Sequence, residues 1–437
     1  MKVFRKTLLL FGVLIILSAY YFYEIKTTPI KEKKKQENKK LFVIEKEKVN
    51  SIYIKNRDKE IEIMNGGKNW IIKGKNYECD KNEIESLINK ILAIEIEKTI
   101  EVNDLSLYGL DKSDKIIELE GDGEKYTLYI GDEAPTGSYV YTTKDKKNIN
   151  LVYKWDIENI LKKEIFDFRD KRIIPVDIVK TDIEEFEIKR AKYNYYFVKN
   201  GDYWYIKDGI NDLASKEKLD EIFENIFDRK IKEYTEDKSE IECGLEKPHS
   251  TFRIKIKNNE YFLYLGKKKG NLYYAKNSLK PYIFLVEDKI LEDIPEEINK
   301  LRERKLFDFN VFGVNEITII KGNEELKFLK EKDTWYLEKD KTKKISKKKI
   351  EDFLSDLRHI EIENFIDYSE NKLKDYSLFP PEIKISAIDE TKKIEIHFGK
   401  KTDKEIYGYH PRRKILFTIP SSDYEKINKE KGFFIEK

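Results

Sequence analysis

Three kinds of residue in this chain invite a chemical reading: glycines followed by lysines, four histidines and two cysteines. Gly131 to Gly137 and the Gly-Lys-Lys runs at 266 and 399 suggest a phosphate-binding loop, in which backbone N–H groups cradle the anion. That loop needs a glycine five residues ahead of the Gly-Lys pair and a helix after it. Tyr261 and Ile394 stand at those positions and strand-like sequence comes next, so the glycines read as hairpin tips. His249, His359, His397 and His410 have no histidine four residues on, so the helical pair of a metalloprotease is missing. His397 and His410 fall on neighbouring predicted strands, where they could share a metal or simply fill cross-strand space. Cys79 and Cys243 are predicted to be isolated thiols, a single bridge being the alternative. Cys243 has His249 six residues on, but nothing else marks a nucleophile and base, and no Gly-x-Ser-x-Gly elbow occurs.

Comparison of copies argues further against catalysis. Asp111 and Asp132 become Glu246 and Lys267 in a second copy of the same pattern, then Phe379 and Lys400 in a third. An active site repeated with the fold would keep its acids. Tyrosines persist better: Tyr139 and Tyr141, Tyr273 and Tyr274, and Tyr407 and Tyr409 occur on one strand of each copy. Exposed, they could stack on sugar rings or dock a partner; buried, they pack onto the next helix. Trp70, Trp204 and Trp335 each start a strand just ahead of a helix and read as core anchors.

The elements that hold these residues recur with the tryptophans at intervals of about 130 residues, a period that is a domain rather than a solenoid rung. Each copy opens with alternating strands, in the first Ile52-Tyr53-Ile54, Ile61-Glu62-Ile63 and Trp70-Ile71-Ile72. A one-faced helix comes after them: Asp80 before Ile84, Leu87, Ile88, Ile91 and Leu92; Ser215 before Leu219, Ile222, Phe223, Ile226 and Phe227; Ser346 before Ile350, Phe353, Leu354 and Leu357. Glu83 is placed to complete a capping box with Asp80. Next come the turns Tyr108-Gly109-Leu110, Cys243-Gly244-Leu245 and Tyr376-Ser377-Leu378. Glycine there suggests positive φ or a close approach, and serine in the third copy weakens the φ reading. Paired strands succeed the turns, with Gly131, Gly266 and Gly399 expected to end the second of each pair. The junctions match as well, 168–172 with 301–305.

Of 437 residues, 86 are basic and 83 acidic, a balance that leaves no footprint for nucleic acid. From Thr7 to Tyr23 the chain is uncharged, enough for roughly 26 Å of helix, and Lys2, Arg5 and Lys6 precede it. This predicts a span of the cytoplasmic membrane. Leu17 and Ala19 make a poor cleavage site, so it reads as an uncleaved signal anchor. The seven lysines of 26–40 read as a linker near headgroups; by the positive-inside rule alone they would stay in the cytoplasm, whereas the short basic tail favours export of the repeats.

Taken together, the anchor, the tryptophan strand, the capped helix, Tyr-Gly-Leu-Asp at 108–111, Tyr-Thr-Leu-Tyr-Ile-Gly at 126–131 and Tyr-Val-Tyr at 139–141 resemble a bacterial family, domain of unknown function 4340. Its members are often encoded beside ABC-transporter components of the gliding-motility type. The resemblance blurs in the third copy, where Ser377 and Phe379 replace glycine and aspartate, and it brings no catalytic residues. It implies a single-pass envelope protein working with an ABC-type exporter. The expectation is therefore an α+β protein of three tandem homologous modules at 42–174, 175–309 and 310–437, each an antiparallel sheet with one main amphipathic helix, after a tail and anchor at 1–25 and a linker at 26–41. It is expected to be a non-enzymatic scaffold without cofactor, with ABC transporter subunits as partners. The alternative is an envelope glycan-binding protein using Tyr139, Tyr141, Tyr273, Tyr274, Tyr407 and Tyr409; an unrecognised hydrolase is the third reading.

Overall fold

A computed structural model describes residues 17–18, 20–21 and 39–436 except 76, 102–103, 176–177, 208 and 391. The expected membrane segment and lysine-rich linker lie largely outside the described residues, though 17, 18, 20 and 21 are helical. Among the described residues no helix is long and apolar enough to cross a membrane. The chain divides into two compact units, 1–171 and 172–437. The first contains one antiparallel sheet and the second contains two, so the fold is α+β.

In the first unit β1 (Val49–Asn56), β2 (Lys59–Asn65), β3 (Trp70–Ile72) and β4 (Tyr77–Glu78) form a meander. Helix α1 (Lys81–Leu92) and β5 (Ile96–Glu101) come next, then β6 (Lys115–Gly121), β7 (Glu124–Glu133), β8 (Tyr139–Thr143) and β9 (Asn148–Tyr153). The sheet order is β4-β3-β2-β1-β6-β7-β8-β9-β5. Because β4 and β5 occupy opposite edges, the chain between them must cross the sheet, and α1 makes that crossing. Alternation decides the face. Ile52 and Ile54 of β1 lie opposite Ile63 and Ile61 of β2 and opposite Leu119 and Ile117 of β6, all buried. Ile84, Leu87, Ile88 and Ile91 of α1 are buried as well.

The second unit repeats the arrangement. Its first sheet comprises β10 (Glu185–Arg190), β11 (Tyr193–Asn200), β12 (Tyr203–Ile206), β13 (Asp212–Leu213), β14 (Glu233–Thr235), β15 (Ser250–Ile256), β16 (Asn259–Lys269), β17 (Leu272–Asn277) and β18 (Lys280–Glu287), with α3 (Lys216–Asp228) between β13 and β14; α2 is Lys154–Leu161 of the first unit. The order β13-β12-β11-β10-β15-β16-β17-β18-β14 matches that of the first sheet. Phe186 on β10 lies edge-on to Phe223 of α3 at 4.8 Å, and Trp204 packs on the same ring at 5.7 Å. The other sheet has β19 (Glu316–Lys321), β20 (Glu324–Glu331), β21 (Thr334–Leu337), β22 (Asn364–Ile366), β23 (Ile383–Ile388), β24 (Lys393–Lys401), β25 (Glu405–His410) and β26 (Ile415–Pro420), with α4 (Lys347–Arg358) after β21. It keeps the same order without a fourth edge strand. Phe353, Leu354 and Leu357 of α4 join Trp335, Phe328 and Phe398 in one buried cluster.

Each main helix is tied to the end of its module. The N–H of the capping residue donates to a carbonyl of the exit segment: Asp80 to Phe168 at 2.8 Å, Ser215 to Leu301 at 2.8 Å, Ser346 to Phe434 at 2.9 Å. Asp80 also caps α1 as expected, accepting from Asn82 and Glu83 N–H. The expected capping box does not close, since Phe168 already takes the Asp80 N–H and Glu83 turns to Lys163 at 3.8 Å. A hairpin tip grips the incoming chain in the same three-fold way, Lys144 Nζ on Leu41 O at 3.1 Å, Asn277 Nδ2 on Ile173 O at 2.6 Å and Arg413 Nη2 on Glu303 O at 2.8 Å.

Two glycine readings change. Gly131, Gly266 and Gly399 are neither strand ends nor hairpin tips: β7, β16 and β24 run through them, with a register shift just after Ile130, Leu265 and Phe398. A methyl group there would overlap the carbonyl oxygen of Tyr108, Cys243 or Tyr376, so the turn backbone lies directly on the bulge. The turn position itself is left-handed in all three copies, φ being 65° at Gly109, 71° at Gly244 and 53° at Ser377. Serine thus accepts a conformation that costs a side chain roughly 1–2 kcal/mol. Ser377→Gly is expected to raise stability by about 1 kcal/mol in urea unfolding, and Gly399→Ala to lower it by about 2 kcal/mol.

Candidate functional site

Within their own sheets the six tyrosines take different settings. Strand register aligns Tyr141, Tyr274 and Tyr407, each one residue before the partner of Ile130, Leu265 or Phe398. Each of the three rests on the left-handed turn of its own sheet. Tyr141 meets Tyr108 edge-on at 4.7 Å, Tyr407 stacks on Tyr376 at 4.0 Å, and Tyr274 is buried in a cluster with Cys243 and Leu245. Tyr139 lies against the half-exposed Tyr153 at 5.8 Å, and Tyr409 stacks on Tyr368 at 6.0 Å. Tyr273, adjacent to Tyr274, emerges on the opposite face and stacks on His249 at 5.3 Å.

His397 pairs with Tyr409 across β24 and β25, so His410 emerges on the other face and the two imidazoles do not meet. His397 Nε2 meets Glu395 at 2.9 Å and His359 Nδ1 meets Ser355 O at 2.7 Å. Both cysteines are free and buried. Burial pushes the Cys79 thiol up to about 12 and raises that of Cys243, the reverse of what a nucleophile needs. His249 is engaged by Ser250 Oγ at 2.9 Å. Trp204 and Trp335 are buried and Trp70 half-buried. Among the described residues no group of three or more histidine, cysteine or acidic side chains is placed to hold a metal.

What the sequence did not disclose is a cleft of about 480 Å³ in the second unit, walled by β12 and β13, the first turn of α3, the exit segment 303–308, the start of β24 and the β25–β26 hairpin. Arg413 lines it, and behind Arg413 the buried Asp212, 2% exposed, is held by two guanidiniums. Arg302 donates Nε to Oδ2 at 2.9 Å and approaches the same oxygen with Nη2 at 2.8 Å; Arg413 spans the carboxylate, Nε to Oδ1 at 2.7 Å and Nη2 to Oδ2 at 2.8 Å. Arg302 is fixed further by Asn299 Oδ1 at 3.1 Å and by the Phe365 ring, 3.6 Å from its Cζ. Burial alone would raise the Asp212 carboxyl, but the two guanidiniums outweigh it and hold it below the usual range. At the rim Tyr203 Oη, Lys392 Nζ and Asp308 Oδ2 form a triangle with sides of 3.0, 3.0 and 3.0 Å.

Arg302 lies in the junction that matched between copies, the one legible hint of this site. Arg413, distant in sequence and in no motif, gives none. The cluster joins β13, the exit segment and the β25–β26 hairpin through charge-assisted hydrogen bonds.

The structure thus defines a class: repeated α+β modules, each closed on its own helix cap and coupled in the second unit through a buried ion cluster. The chain belongs to the family described as domain of unknown function (DUF4340), whose model matches residues 70–248 and again 204–381. The two matches start on the equivalent tryptophans Trp70 and Trp204, and each runs past one sheet into the next. No curated protein matches the chain.

His410, 7% exposed on the cleft wall, has its pKa lowered to about 4 by burial and by the neighbouring Arg413. Its ordinary value is 6.5, so the unfolded chain takes up the proton first. The stability this contributes is full above about 6.5 and is lost as pH falls toward 4. Replacing His410 by Gln is expected to remove up to about 3 kcal/mol of the acid-induced loss over that window, measured by urea unfolding at constant ionic strength; equal pH slopes for the two proteins would contradict the assignment.

Proposed function

We propose that this chain is a membrane-anchored, non-enzymatic scaffold of the bacterial cell envelope, accessory to an ABC-type transport complex. Its modules lie outside the cytoplasmic membrane, held by the single span from Thr7 to Tyr23. The observation that carries this reading is the contrast between what the copies keep and what they change. Strand order, helix cap, glycine bulge and the tyrosine seated on the turn recur, whereas the acid beside the turn, kept as Glu246 in the second copy, becomes Phe379 in the third, and the acid beside the bulge becomes Lys267 and Lys400.

A fold repeated without a shared polar cluster suits spacing and docking. The transporter components that the resemblance implies supply the partner class. Crosslinking in intact cells followed by mild detergent extraction is expected to recover transporter subunits with the chain, and recovery of the chain alone would contradict the scaffold role.

A further inference from the structure

Two tyrosines line the cleft of the second unit from one face of β12. Burial alternates along that strand: Trp204 and Ile206 enter the core, so Tyr203 and Tyr205 share the opposite face. Tyr203 is 41% exposed although its Oη is tied to Asp308 Oδ2 and Lys392 Nζ, both at 3.0 Å. A ring fixed by its hydroxyl and open to solvent is a platform oriented in advance, so little ordering is left for a ligand to impose. Leu213, Leu306 and Ile394 add apolar lining.

The charges around these rings decide the class of ligand. Lys305 is paired with Glu217 at 2.7 Å and Lys392 with Asp308 at 3.0 Å. Of the other lining residues, Lys216 and Arg412 have no ion-pair partner among the described residues, and neither have Asp202 and Glu303. An anion in the cleft therefore meets carboxylates, and a cation meets ammonium and guanidinium groups. An apolar ligand strips water from all of these groups and returns no hydrogen bond. A neutral molecule rich in hydroxyls suits both signs, because each hydroxyl donates to a carboxylate or accepts from a cation. Sugars add an apolar C–H face that stacks on aromatic rings.

We propose that this cleft binds a neutral saccharide, its ring laid on Tyr203 beside Tyr205 and its hydroxyls held by Asp202, Asp308 and Lys392. A volume of about 480 Å³ accommodates a mono- or disaccharide. The site lies apart from the tyrosines of β8, β17 and β25. It is also independent of the scaffold reading, which concerns protein partners.

The test is saturation-transfer NMR of the purified full chain with glucose, galactose, N-acetylglucosamine and chitobiose, and with glycylglycine as a charged control. Transfer to the C–H protons of at least one sugar is expected, and none to glycylglycine. Tyr203→Ala should bind that sugar about tenfold more weakly, whereas Tyr203→Phe, which keeps the ring, should lose less. Thermal unfolding checks that both variants stay folded. Asp202→Asn, at an exposed turn, provides a second variant that leaves the strand intact and is expected to weaken binding as well. Absence of transfer to every sugar overturns the proposal, as does a response to glycylglycine alone. Unchanged affinity in a folded Tyr203→Ala together with Asp202→Asn, or an equal loss in Tyr139→Ala of the first unit, overturns it too.

Discussion

The second unit depends on one carboxylate. Asp212 sits on the short strand before α3, Arg302 on the exit segment that returns to cap that helix, and Arg413 on a hairpin of the following sheet. Removing a buried carboxylate from two guanidiniums leaves uncompensated charges, which is why such a cluster fixes geometry even where its net contribution to stability is modest. Here the geometry joins two sheets. The backbone of Glu303 strengthens the union by accepting from Arg413, so one short segment both closes one module and is gripped by the next.

The same mechanical plan operates elsewhere with different side chains. In the first unit Lys144 takes the place of Arg413 in gripping the incoming chain, and Arg169 stacks on Tyr77, 3.6 Å from ring centroid to Cζ, where Arg302 meets Asp212. The backbone contacts at the helix caps are nearly identical in all three copies. Selection for the fold alone therefore acts on backbone geometry and apolar volume, leaving polar positions open to diverge. That freedom explains how a charged cleft arises at one junction without a counterpart in the sequence pattern of the others.

Legibility in the sequence tracked the range of the interactions. Alternating strands, the buried stripes of the main helices and their Asp80, Ser215 and Ser346 caps are local, and their periodicity displayed them. The glycine bulges were visible as recurring residues but misplaced as tips, because the carbonyl lying over Gly131 comes from Tyr108, on a separate turn. Serine at 377 hid a left-handed turn that glycine would have announced. The capping box at Glu83 failed for a tertiary reason, the prior claim of Phe168 on the Asp80 N–H. The buried cluster was illegible because it is assembled from Asp212, Arg302 and Arg413, one contact of which spans 201 residues.

The coupling of the sheets through Asp212 is measured most directly by a double-mutant cycle. Urea unfolding of the full chain, of Asp212→Asn, of Arg413→Gln and of the double variant gives the interaction energy between the two side chains. The structure predicts a coupling of about 2 kcal/mol. A value below about 0.5 kcal/mol, the scatter expected for independent sites, would contradict the account.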